Sequence, residues 1–122
     1  MIGGVSLEQN NLVEVLEPQR FDVELQGTSL LLLAFLKRNE RFRSQTDVLT
    51  RACNGFGYPL ECFVYDFDYL DTAMERFKIK GTPTFLLFSE GQEVNRLIGE
   101  TDSESLEEFV RSSLEEDVAT RL

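Results

Sequence analysis

Lys80-Gly81-Thr82-Pro83-Thr84-Phe85-Leu86-Leu87-Phe88 decides the fold. Glycine and proline mark a turn at 81–83, and because proline cannot donate to a sheet ladder, pairing begins only after it. The apolar run 85–88 reads as a strand. Residues 94–98 read as its partner, joined to it by Ser89-Glu90-Gly91-Gln92, whose glycine suits a hairpin connection. Upstream, residues 30–36 are apolar at every position, which is the pattern of a central strand covered by helices on both faces.

The remaining elements fall on either side of these strands. Residues 12–16 alternate as a first strand, and 18–25 form a short helix opened by Pro18 and closed by Gly27. Residues 40–53 take helical spacing, with Phe42, Val48, Leu49 and Ala52 on roughly one side and Asn54-Gly55 as the stop. A strand over 60–67, rich in Phe, Val and Tyr, leads to a helix over 71–77 that turns Ala73, Met74 and Phe77 inward. Asp102 or Ser103 caps a last helix with the apolar stripe Leu106, Phe109, Val110 and Leu114. Residues 115–122 lack periodicity and are expected to be a frayed acidic tail. The order β-α-β-α-β-α-β-β-α predicts an α/β fold, a mixed central sheet flanked by helices, in one domain over 1–122 with its core in 12–114.

Composition removes several classes of function. A chain of 122 residues, 42% hydrophobic, can bury one core but not two. Its net charge of −10 opposes a nucleic-acid partner, which needs clustered Lys and Arg. The absence of histidine takes away the usual general base and the commonest metal ligand, so neither a metal site nor a cofactor is expected. Asp66, Asp68 and Asp71 lie too close together, without a central glycine, to be a calcium loop and are expected to cap helices. No apolar run approaches the roughly 20 residues of a membrane span, and the first residues carry no basic flank and apolar segment of a secretory leader. A cytoplasmic protein is expected.

The element order and the segment 80–88 resemble the thioredoxin family, whose proline loop runs into its fourth strand. Asp68 stands fifteen residues before Pro83, Gly91 falls in the hairpin and Gly99 follows the fifth strand, as family members arrange them. The resemblance implies a cis Thr82-Pro83 bond and a groove in which the residue before the proline offers its backbone to an extended peptide. Thr82, Pro83 and Gly99 become candidate groove residues on that ground, with a purely structural turn as the alternative.

The resemblance breaks where the family carries its dithiol. Thioredoxins have Trp-Cys-Gly-Pro-Cys after a strand ending Asp-Phe-Trp; here Ala34-Phe35-Leu36 leads to Asn39-Glu40-Arg41-Phe42-Arg43. Glu40 and Arg43 stand at the cysteine positions, Arg41-Phe42 replaces Gly-Pro, and Ala34 replaces the buried acid. A thiolate nucleophile and its resolving thiol cannot be replaced by a carboxylate and a guanidinium, so thioredoxin-type oxidoreductase activity is not expected. Four of the twelve basic residues, Lys37, Arg38, Arg41 and Arg43, gather here. They either form a solvated loop, paired locally, with Glu40 on the helix dipole, or hold an anion or acidic peptide. Phe42 is expected in the core rather than as a peptide contact.

Cys53 and Cys62 are too few for a disulfide framework and are expected as two buried thiols; because one ends a helix and the other opens the next strand, a displaced redox pair is the alternative. Together with the resemblance, these departures imply a redox-inactive, chaperone-type module that binds another protein or an extended peptide through the proline-loop groove. Thioredoxin-like proteins that are small, acidic and without the dithiol resemble hydrogenase-assembly accessory proteins, which implies a maturation chaperone as a narrower form. The alternative is an atypical thioredoxin-related protein of redox homeostasis that works through Cys53 or Cys62.

Overall fold

The computed structural model of the chain describes residues 13–56 and 59–121. β2 (Leu30–Phe35) is the middle strand because nothing along it is polar. Residues Leu31, Leu32, Leu33, Ala34 and Phe35 are all fully buried, and alternate side chains enter two separate apolar layers. β3 (Glu61–Tyr65) pairs with β2 in parallel, and β1 (Glu14–Leu16) pairs in parallel with β3. On the other side β4 (Thr84–Ser89) runs antiparallel to β2, with Leu33 opposite Leu86, and β5 (Gln92–Ile98) runs antiparallel to β4. The sheet order is β1-β3-β2-β4-β5, a mixed five-stranded sheet as the element order implied.

Among the described residues, four α-helices cover it. α1 (Pro18–Gly27) and α3 (Leu70–Phe77) lie over the layer of Leu31, Leu33, Phe35, Phe63, Tyr65, Leu86 and Phe88. α2 (Phe42–Gly55) and α4 (Ser103–Arg121) lie over the layer of Leu32, Ala34, Val64, Phe85 and Leu87. Pro18 fits the first turn of α1, where its missing N–H costs nothing, and Phe21 is the one side chain of α1 that is fully buried. Asp102 caps α4: its Oδ1 accepts the Ser105 N–H at 2.7 Å. That bond holds the Asp102 carboxyl below its ordinary pKa.

Several element ends differ from the sequence expectation, each for a local reason. Leu12 lies outside the described residues, so β1 is seen from Glu14. α2 starts at Phe42 rather than Glu40, because the Asn39 Oδ1 accepts the Arg41 N–H at 2.9 Å and the Asn39 carbonyl accepts the Phe42 N–H at 3.0 Å. That Asx turn satisfies N–H groups the helix would otherwise leave open. Glu40 therefore lies before the first helical turn and not within it. β3 stops at Tyr65, since Asp66 turns the chain into a 3-10 segment, Phe67–Tyr69, by accepting the Asp68 N–H at 3.0 Å. Neither Gly27 nor Gly55 adopts the left-handed stop expected of it; both lie within their helices. The supposed tail 115–122 is helical through Arg121, because Glu, Ala and Arg favour a helix even without an apolar stripe to bury.

The β4–β5 hairpin is tighter than a four-residue connection. Glu90 (φ 52°) and Gly91 (φ 83°) both take positive φ, the two-residue turn that matches strand twist. Glycine adopts that conformation freely and glutamate does not. Glu90→Asn should therefore raise stability by about 0.5–1 kcal/mol, read as a higher midpoint of urea unfolding. An unchanged or lower midpoint would show that the turn carries no strain at Glu90.

Candidate functional site

The end of β2, the start of α2, the loop before β4 and the loop after β5 converge at one edge of the sheet. Leu36, Lys37, Asn39, Arg41, Phe42, Gln45, Thr82, Pro83 and Glu100 line a shallow depression there of about 120 Å³. The Thr82-Pro83 bond is cis. Two bonds hold the loop in place: Thr84 Oγ1 donates to the Gly81 carbonyl at 2.7 Å, and the Gly99 N–H donates to the Pro83 carbonyl at 2.9 Å. Gly99 takes φ 104°, a conformation that strains residues bearing a Cβ. Its part is thus to tie β5 to the proline loop rather than to line the depression, and its neighbour Glu100 supplies the wall.

Of the four residues at the expected dithiol position, only Arg41 and Phe42 face the depression. Glu40 and Arg43 are exposed beside it. Phe42 is partly a core residue, as expected of it. It is half-buried, packs under the α2 layer and meets the Phe67 ring edge-on at 5.5 Å, while lining the depression as well. The basic cluster is partly paired. Arg41 makes an ion pair with Glu100 across the depression, and the Arg38 guanidinium lies 5.0 Å from the centre of the Phe67 ring. Because the Arg41 and Glu100 side chains are 63% and 45% exposed, their pairing adds little stability and can be exchanged for another partner.

Gln45 is the site residue missed by sequence reasoning. Its side chain is 93% buried, being 7% exposed, and its Nε2 donates to the Thr101 carbonyl at 3.4 Å. Its Oε1 is buried and has no hydrogen-bond partner among the described residues. A buried acceptor without a donor costs about 1–3 kcal/mol, so this one is conspicuous in the floor of a depression. A signal for it exists in the spacing, since 45, 49, 52 and 56 form one helical stripe whose other members, Leu49, Ala52 and Phe56, are apolar and buried.

Ala34 is fully buried behind this site, among Leu32, Leu36, Val64 and Phe85. Sulfur lies elsewhere. Cys53 is in the last turn of α2, roughly 16 Å along the helix from Phe42. Among the described residues, no three Cys, Asp or Glu side chains are grouped to hold a metal ion, and no helix is long and apolar enough to cross a membrane.

A mixed sheet of this order, with a cis proline loop facing the start of a helix at the end of the central strand, defines the thioredoxin class of proteins. The thioredoxin family model matches residues 43–112, more than half of the chain, and the chain belongs to that family. Solved structures agree. The chain is similar to a mutant thioredoxin from Halobacterium salinarum, with a TM-score of 0.72 and 17% identity over 84% of this chain and 91% of that one. It is also similar to Plasmodium falciparum thioredoxin, at 0.71 and 17% over 82% and 98%, and to Trxlp from Edwardsiella tarda, at 0.62 and 25% over 80% and 97%. No curated protein sequence matches the chain.

Proposed function

We propose that this protein is a non-catalytic thioredoxin-family module that holds an extended segment of another protein, in the manner of a chaperone, at the depression between Phe42 and Pro83. What supports this is a depression beside the cis proline loop whose lining contains no cysteine. Thr82, Pro83, Arg41 and Phe42 meet in one place, and the chain's two cysteines are both outside it. The unpartnered Gln45 Oε1 supports the proposal, because a hydrogen-bond donor on an incoming chain would satisfy it. The exposed Lys37, Arg38 and Arg43 favour an occupant with acidic side chains, which Arg41 could pair in place of Glu100. A reducing, cytoplasmic setting fits the two free thiols.

Photo-cross-linking tests it. A photoreactive residue placed at position 43 should capture a partner that is not captured from position 23, on the opposite face of the sheet. The double substitution Arg41→Glu, Arg43→Glu should then lower affinity for that partner by about tenfold, a loss of about 1.4 kcal/mol. Equal capture from both positions, or unchanged affinity, would remove the groove from the function. Insulin reduction under a thioredoxin reductase, abolished by Cys53→Ser or Cys62→Ser, would replace binding with redox catalysis.

A further inference from the structure

At the other end of α2, the two cysteines come together. Cys53, nine residues before Cys62 in sequence, is half-buried, while Cys62 is buried as the second residue of β3. Both pack into the layer formed by Leu49, Ala52, Phe56, Leu60 and Val64. The Cys53 Sγ donates to the Leu60 carbonyl at 3.2 Å, which places it beside the start of β3, two residues from Cys62, and each thiol acts on the ionisation of the other. Nothing in a purely apolar packing role requires the two sulfurs to meet.

We propose that Cys53 and Cys62 are a reversible dithiol/disulfide couple, with Cys53 as the attacking thiol and a small disulfide of the glutathione class as its oxidant. Cys53 is the accessible partner, and a reagent can reach it without opening the core. The surroundings also separate the two chemically. The hydrogen bond from Cys62 favours the Cys53 thiolate and lowers its pKa against the opposing effects of burial and the Glu61 charge. Burial, and after it the hydrogen bond to Cys53, raise Cys62 well above the ordinary thiol value. The better nucleophile is therefore the one nearer solvent.

The exchange balances without any other reactant. The Cys53 thiolate attacks one sulfur of the small disulfide, forming a mixed disulfide and expelling one small thiolate. Cys62 then gives up its proton and attacks the Cys53 sulfur, expelling the second small thiolate. The two protein thiols lose two electrons, the small disulfide gains them, and the protons pass to the two small thiols. Once Cys53 is capped, its charge and hydrogen bond no longer hold the proton on Cys62, so the second step is easier than the pKa of the resting thiol implies.

Intact-mass analysis of the folded, full-length chain after incubation with oxidised glutathione tests the proposal. The wild-type protein should lose two hydrogens and regain them with dithiothreitol. Cys62→Ala should retain one glutathione at position 53, and Cys53→Ala should react at least about tenfold more slowly at its remaining thiol. The Arg41→Glu, Arg43→Glu protein should oxidise like wild type, so the outcome is independent of the groove. A folded wild-type protein that stays unmodified while its urea-unfolded form reacts would overturn the proposal. Two glutathione adducts in place of one internal disulfide would do the same.

Discussion

Phe21→Ala is expected to lower folding stability by about 3–5 kcal/mol, a large share of what a domain of this size possesses. Phe21 is the sole fully buried side chain of α1, and its ring meets those of Tyr65, Phe77 and Phe88 with centroids 6.3, 5.7 and 5.5 Å away. Truncation leaves a cavity enclosed by three other aromatic rings, which cannot collapse without moving the sheet or α3. It also removes one of the two rings beside Arg76, whose guanidinium lies 5.7 Å from the Phe21 ring and 4.8 Å from that of Phe77 and pairs with Asp22 of α1. Urea unfolding followed by circular dichroism measures the loss. A change below about 1.5 kcal/mol would mean that α1 is held mainly by something other than this ring.

Glu40→Cys combined with Arg43→Cys should turn the protein into a working, though slow, disulfide reductase. Positions 40 and 43 have the spacing that the resemblance implies for the dithiol, and both lie beside the depression that Thr82 and Pro83 line. A thiol at position 40 would have Arg38 and Arg41 nearby and the start of α2 just beyond, all of which favour a thiolate. Ala34 remains apolar and fully buried, so proton transfer to the resolving thiol goes unassisted and the rate should stay below that of a complete site. The measurement is insulin precipitation driven by dithiothreitol. The double variant should exceed wild type by at least about tenfold, and each single variant should not, because a lone thiol cannot resolve its mixed disulfide. A folded double variant with no gain would show that the surrounding scaffold, and not only the sulfur, has departed from the family.

Much of this architecture was legible where burial dictates residue type. β2 and β4 must exclude water on both faces, so their leucines and phenylalanines form unbroken runs that no helix or loop would carry. The hairpin was legible through Gly91, because positive φ is cheap only for glycine; its partner Glu90 gave no such indication. The second half of α4 was not legible, since a helix that covers less of the sheet toward its end loses its apolar stripe and keeps only its propensity. Val118, 57% exposed, shows where that stripe runs out. At the site, the absence of cysteine from residues 36–45 could be read directly. The nearness of Cys53 to Cys62 was legible in outline, since one ends a helix and the other opens the strand that follows; how the end of α2 packs against the start of β3 was not.

The open bond of Gln45 has a consequence for motion. The strands behind it are satisfied and closely packed, whereas the first turn of α2 and the loop carrying Thr101 are joined through an amide that uses only one of its two ends. That corner is locally frustrated, and native-state fluctuations should begin there before they reach the sheet. An occupant that donated to Oε1 would satisfy that amide and quiet that corner as it bound.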